Sequence, residues 1–216
     1  MKNSILSFIV LIFLYSTQVF LAQNAHSQQP ISIVALGDSL VAGYELPKEK
    51  AFPKQLEKAL QAKGYKVTVQ NAGVSGDTAA AGLARLDWAV PKNTDAVIVE
   101  LGANDALRGI DPKQTFQTLD TLLQKLKAKN VEILLAGMHT PQSYGPEYAN
   151  AFAQMYPDLA KKHNVLLYPY FLDGIALKPE YNLPDGLHPN AKGVEIVVER
   201  ILPTVEMLLK KVQQNK

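Results

Sequence analysis

The chain has 216 residues, enough for one α/β domain with its own hydrophobic core. Hydrophobic residues make up 47% of it and charged residues 19%, an ordinary globular composition that excludes a disordered or collagen-like chain. A formal net charge of +2 argues against a dedicated nucleic-acid-binding protein, and the absence of cysteine excludes a cysteine nucleophile, a thiolate zinc site and a disulfide framework.

The N-terminus has the layout of a secretory signal peptide. Lys2 precedes an apolar run over residues 5–21, and the small residues Ala22, Ala25 and Ser27 follow. We expect cleavage between residues 22 and 27, which leaves residues 28–216 as one exported domain, periplasmic or secreted. The alternative is an uncleaved membrane anchor, because the run is close to spanning length.

Short apolar segments alternate with segments of helical periodicity along the rest of the chain. The predicted strands are residues 31–36, 67–69, 96–101, 132–138 and 165–168. The predicted helices are residues 52–63, 78–88, 112–129, 146–163 and 190–211. This alternation predicts a parallel sheet with helices on both faces, and there is no repeat or linker that would divide it into two domains.

Ligands of such sheets bind beyond the carboxyl ends of the strands, so the residues there are candidates for chemistry. Ser39 follows the first strand and could serve as a nucleophile or simply cap the next helix. Gly76 lies in the loop after the second strand, where its N–H could bind an oxyanion. The alternative for that loop is a turn with a helix cap from Asp77 or Thr78.

Two further segments carry polar side chains. Asn104 follows the third strand and offers two amide donors, although an Asx turn would explain it equally well. Asp185 precedes His188 by three residues, a spacing that lets the carboxylate orient the imidazole as a general base. The alternatives are an unrelated loop pair or part of a metal site. In combination, these loops supply a nucleophile, oxyanion donors and an oriented base, which acyl transfer requires.

These blocks resemble those of the GDSL, or SGNH, hydrolases, over the chain from about residue 33 to the last helix. Ser39 matches the family's nucleophile, and Asp185 and His188 match its D-x-x-H block. The resemblance implies an oxyanion hole formed by Ser39, Gly76 and Asn104. It also implies a flavodoxin-like three-layer α/β/α sandwich with a parallel five-stranded sheet, and it implies no metal and no cofactor.

Four further segments resemble the branch of this family that has thioesterase, lysophospholipase and arylesterase activity. They are SGDT (75–78), GLARL (82–86), VELG (99–102) and LRG (107–109). The resemblance implies a small-molecule acyl ester or thioester as substrate, transient contact with lipid substrates, and a monomeric enzyme. We expect the acyl chain to lie among residues of two loops at the sheet edge: Leu107, Ile110, His139, Pro141 and Tyr144.

Three alternatives stay open at this point. A carbohydrate O-acetylesterase would use the same triad on a short acyl group, and the segment Met138-His139-Thr140 departs from the family pattern where substrate preference is set. An inactive binding protein could share the fold. A nucleotide-binding module is disfavoured because the first loop lacks a glycine-rich phosphate motif, and Asp38 would repel a phosphate.

Overall fold

The computed structural model of the chain describes residues 29–140 and 144–215. Five strands make up the sheet: β1 (Ile31–Gly37), β2 (Val67–Gly73), β3 (Ala96–Glu100), β4 (Glu132–Ala136) and β5 (Leu166–Tyr168). All neighbouring pairs are parallel and the order is β2-β1-β3-β4-β5, as in flavodoxin-like folds. The predicted parallel five-stranded sheet is confirmed.

The helices that follow the strands cover both faces of the sheet. They are α1 (Ser39–Ala42), α2 (Phe52–Ala62), α3 (Ala79–Ala84), α4 (Leu86–Ala89), α5 (Ala103–Leu107), α6 (Pro112–Ala128), α7 (Pro146–His163) and α8 (Ala191–Gln214). In one helical layer α2 packs against α8. In the other layer α6 packs against α3 and α7. No helix within the described residues is long and apolar enough to cross a membrane. The predicted signal peptide lies outside those residues.

Burial along each strand follows its place in the sheet. Every residue of the central strand β3 is buried, and β1 is buried at all positions except Ser32, because helices cover both faces there. The edge strand β2 instead begins with alternating buried and exposed residues. The continuous apolar runs of β1 and β3 thus form the centre of the core.

The strand register aligns the carboxyl ends of β1 to β4. Gly37 pairs with both Gly73 and Glu100, and Glu100 pairs with Ala136. The chain therefore leaves four neighbouring strands at the same level, so the loops that carry Ser39, Gly76, Asn104 and His139 begin at one edge of the sheet.

The predicted helix over 78–88 is in fact two helices, with Arg85 between them at φ −99° and ψ 5°. The Arg85 side chain turns into the protein, where Nε donates to Asp77 Oδ2 at 2.5 Å and Nη2 donates to the Gly37 carbonyl at 2.9 Å. Only 7% of Arg85 is exposed. Periodicity did not show this break, because apolar spacing continues through it.

Replacing Arg85 by Met should lower the free energy of unfolding by about 2–4 kcal/mol, because the buried Asp77 carboxylate loses its cation. The matched control is Arg108→Met, which removes an exposed arginine that donates to the Gly76 carbonyl at 2.8 Å. That change should cost less than about 1 kcal/mol. Urea unfolding measures both values, and equal losses would contradict a structural role for the buried ion pair.

Candidate active site

Ser39 lies where β1 passes directly into α1. Asp38 caps this helix, because its Oδ1 accepts the Leu40 N–H at 2.9 Å, so the alternative that Ser39 is the cap is wrong. Ser39 is instead the first residue of the helix and is only 8% exposed. Its Oγ lies 2.9 Å from His188 Nε2, although 149 residues separate the two along the chain.

The turn that holds Asp185 and His188 is fixed by its own hydrogen bonds. Asp185 Oδ1 accepts the N–H groups of Leu187 at 2.8 Å and His188 at 3.0 Å, and Oδ2 lies 2.7 Å from His188 Nδ1. These bonds lower the pKa of Asp185 to about 2, and the bond from the His188 backbone N–H has the largest effect. Burial acts in the opposite direction. An ionised Asp185 favours the tautomer with the proton on Nδ1, which leaves Nε2 free to face Ser39.

Tyr44, which no sequence pattern indicated as a site residue, lies against the His188 ring with centroids 4.4 Å apart and an interplanar angle of 34°. Tyr44 follows the end of α1 and is 40% exposed. One face of the imidazole is therefore covered by an aromatic ring, which limits how far the ring can swing. No periodicity or spacing in the sequence marks such a contact, because the two residues are distant along the chain.

Asn104 and Gly76 lie beside the Ser39 loop. Asn104 Nδ2 donates to Asp38 Oδ2 at 3.0 Å and to the Asp77 carbonyl at 3.1 Å, so this amide bridges the loops after β1 and β2. Gly76 has a positive φ of 87°, which favours glycine, and an added Cβ would meet nothing closer than 3.9 Å. Thr78 rather than Asp77 caps α3, through a bond from the Ala81 N–H.

The loop that contains Gly76 is held from two sides by residues that follow Asn104. Asp105 is buried, and its Oδ2 accepts the Ala79 N–H at 2.8 Å while its Oδ1 accepts the Thr115 hydroxyl at 3.1 Å. Arg108 donates to the Gly76 carbonyl. These bonds hold the Gly76–Asp77 peptide and the start of α3, which restricts the loop that presents the Gly76 N–H.

The predicted groove residues fall into two groups. Tyr144 donates through its hydroxyl to the Leu107 carbonyl at 3.3 Å, and Tyr148 donates to the Ile110 carbonyl at 2.8 Å. Leu107 and Tyr144 are 47% and 39% exposed, so apolar surface is available at this edge. Pro141 lies outside the described residues. Tyr144, expected on the same side of the groove as His139 and Pro141, is thus hydrogen-bonded to the Leu107 segment that was expected opposite it.

His139 stacks on Tyr170, with ring centroids 4.2 Å apart and an interplanar angle of 7°. Partial burial lowers the pKa of His139 against the opposing charge of Asp173. Its ring contact is thus with the segment that follows β5 rather than with the Leu107 wall. His139 and His188 have different environments, and it is His188 whose nitrogen faces Ser39.

Comparisons with known proteins all indicate the same family. The GDSL-like lipase/acylhydrolase family matches residues 35–196. The chain is 40% identical over 190 residues to an arylesterase of Vibrio mimicus, covering 88% of this chain and 95% of that protein. It is 41% identical over 179 residues to the thioesterase 1/protease 1/lysophospholipase L1 of Escherichia coli K12, covering 82% and 85%.

A solved structure supports the same conclusion. The psychrotrophic esterase EstA from Pseudoalteromonas sp., inhibited by monoethylphosphonate, superposes with a TM-score of 0.79 at 31% identity, covering 83% of this chain and 99% of that one. These matches favour a hydrolase over a nucleotide-binding module or an inactive binding protein. The chain belongs to the GDSL-like lipase/acylhydrolase family and is a hydrolase that acts on ester bonds.

Proposed function

We propose that this hydrolase cleaves carboxylic esters and thioesters through a covalent acyl-enzyme on Ser39, with His188 as general base and Asp185 as its orienting partner. The observation that carries the proposal is the continuous hydrogen-bonded series from Asp185 Oδ2 through His188 to Ser39 Oγ, at 2.7 and 2.9 Å. Both distances lie in the range required for proton transfer between positioned groups.

In the first half of the reaction, Ser39 Oγ attacks the acyl carbon while His188 Nε2 accepts the hydroxyl proton. The resulting imidazolium is stabilised by the ionised Asp185. The oxyanion accepts hydrogen bonds from the backbone N–H groups of Ser39 and Gly76 and from Asn104 Nδ2, which gives up its bond to the Asp77 carbonyl and keeps the one to Asp38. His188 then returns its proton to the departing alcohol or thiol, and the acyl group stays on Ser39.

In the second half, water replaces the leaving group. His188 Nε2 takes a proton from the water as its oxygen attacks the acyl carbon, and the same three donors bind the new oxyanion. Collapse of this intermediate breaks the bond to Ser39 Oγ, which regains the proton from His188. One chain supplies every group in this cycle, which supports a monomer as the active unit.

Ser39→Ala and His188→Ala should each lower kcat by about four to six orders of magnitude, because the nucleophile and base act as one unit. Two matched controls are available: Ser75→Ala, an exposed serine of the neighbouring loop, and His139→Ala. Both should keep kcat on short esters within about tenfold of the wild-type value. Loss of all turnover in His139→Ala while His188→Ala stays active would assign the base to His139 instead.

We further propose that the acyl chain lies along the wall formed by Leu107, Ile110 and Tyr144, with His139 on the other side of the groove; Pro141 stays a prediction from the sequence. Leu107 and Tyr144 leave apolar surface exposed beside Asn104, which supports this direction. Each methylene removed from water contributes about 0.8 kcal/mol, so such a groove favours medium or long chains over acetate. Lipid substrates would then make only transient contact with the protein.

Leu107→Ala should lower kcat/KM for a decanoyl p-nitrophenyl ester by about tenfold relative to the acetyl ester, because less acyl surface is covered. The control is Met207→Ala, a side chain 52% exposed on the distal half of α8. It should leave the ratio unchanged. Equal losses on all chain lengths in Leu107→Ala would contradict the groove, and a wild-type enzyme confined to acetyl esters would favour the carbohydrate O-acetylesterase.

We propose that residues 1–27 are a secretion signal and that residues 28–216 form the working domain. The first strand begins at Ile31, so cleavage between residues 22 and 27 removes no part of the sheet. Because the sheet stays whole after such a cleavage, the structure is compatible with an exported, periplasmic or secreted enzyme.

Expression of the full chain in an exporting bacterium should yield a protein whose N-terminus lies between Gln23 and Gln28, as measured by intact-mass spectrometry. The uncleaved chain serves as the mass reference. Recovery of only full-length protein, and only from membranes, would show that the apolar segment is an anchor.

A further inference from the structure

A buried acidic side chain lies directly behind the proposed oxyanion hole and has no part in the reaction above. Glu100 is the last residue of the otherwise apolar strand β3 and is 0% exposed. Its Oε2 accepts the Asp38 N–H at 3.3 Å. A Cβ at Gly37 would come within 2.7 Å of this oxygen, so the absence of a side chain at Gly37 makes room for the carboxyl group.

The other oxygen of Glu100 requires a proton to make a hydrogen bond. Glu100 Oε1 is buried, and no N–H or O–H donor in the described part of the chain reaches it. The neighbouring group is the Asp38 carboxyl, which is also 0% exposed and whose backbone N–H already bonds to Glu100 Oε2. Two adjacent buried carboxylates repel one another strongly, so one of the pair keeps its proton.

The contacts of each group decide where that proton resides. Asp38 already accepts hydrogen bonds from the Leu40 N–H and the Asn104 amide, both of which stabilise a carboxylate. Glu100 accepts only the long bond from the Asp38 N–H among the bonds that the structure describes. Burial, followed by the charge of Asp38, raises the pKa of Glu100 well above its usual range. The proton therefore belongs on Glu100 and the charge on Asp38.

We propose that Glu100 is a positioning residue of the oxyanion hole: as a neutral acid it donates a hydrogen bond to the Asp38 carboxylate, and Asp38 in turn orients the Asn104 amide. The inference rests on the proposed function, because it assigns Asn104 to the oxyanion. Glu100 never touches the substrate. It acts through Asp38, which is both the partner of Asn104 and the residue joined to Ser39.

This chain of bonds predicts an effect on the transition state more than on substrate binding. Glu100→Gln keeps the shape and can donate through its amide, so kcat should stay within about threefold of wild type. Glu100→Leu keeps the volume and removes the donor, so kcat should fall by about tenfold to a hundredfold with KM nearly unchanged. The control is Glu132→Leu, at the opposite end of the sheet on β4, which should leave both constants unchanged.

Steady-state kinetics on p-nitrophenyl butyrate, with active sites counted by an organophosphonate, test this scheme. Adding Glu100→Leu to Asn104→Ala should cause little further loss, because both changes disable the same donor. Full additivity, a KM effect alone, or a normal kcat in Glu100→Leu would overturn the proposal. A normal kcat in Asn104→Ala would instead contradict the proposed oxyanion hole, and a normal kcat in Ser39→Ala would contradict the proposed nucleophile.

A spectroscopic measurement covers the case in which Glu100→Leu does not fold. Infrared spectra of the wild-type protein at neutral pH should contain the C=O stretch of a protonated carboxylic acid, and Glu100→Gln should lack it. Absence of this band from the wild type, or its persistence in Glu100→Gln, would overturn the assignment of the proton to Glu100.

Discussion

The alignment of parallel strand ends is the constraint on which the rest of this structure depends. Because Gly37, Gly73 and Glu100 pair side by side, the loops after β1, β2 and β3 leave the sheet at one edge. Residues far apart in sequence then meet without long excursions of the chain. The last loop joins them because α8 packs along the sheet and Asn190 caps its start, accepting the N–H groups of Lys192 and Gly193 at 3.0 Å.

Buried polar groups give this edge its precision. Apolar contacts alone would permit the loops many slightly different positions. A buried carboxylate or guanidinium permits few, because a shift that unpairs its charge is costly in a low-dielectric interior. Arg85 joins the β1 end to the loop after β2, Asp105 fixes the start of α3, and Asn104 spans the same two loops. Removing any one of these groups would leave its partner without a hydrogen bond or a counter-charge, which is costly in a buried position.

Sequence reasoning succeeded where local pattern determines structure. The apolar runs predicted the strands, and the strand ends indicated where to look for Ser39 and Asn104. The helices α1 and α5 were missed because four and five residues are too few to show a period. Pairings between distant segments were missed as well: Tyr44 against His188, and Glu100 against Asp38. A glutamate at the end of an apolar strand was visible in the sequence, but its partner 62 residues away was not.

The most direct test of the account is a crystal structure of the protein after reaction with an alkyl phosphonate, whose tetrahedral phosphorus imitates the intermediate. The account predicts phosphorus bonded to Ser39 Oγ, with the phosphoryl oxygen about 3 Å from the N–H groups of Ser39 and Gly76 and from Asn104 Nδ2. Phosphorus on any other residue, or a phosphoryl oxygen turned away from all three donors, would contradict it.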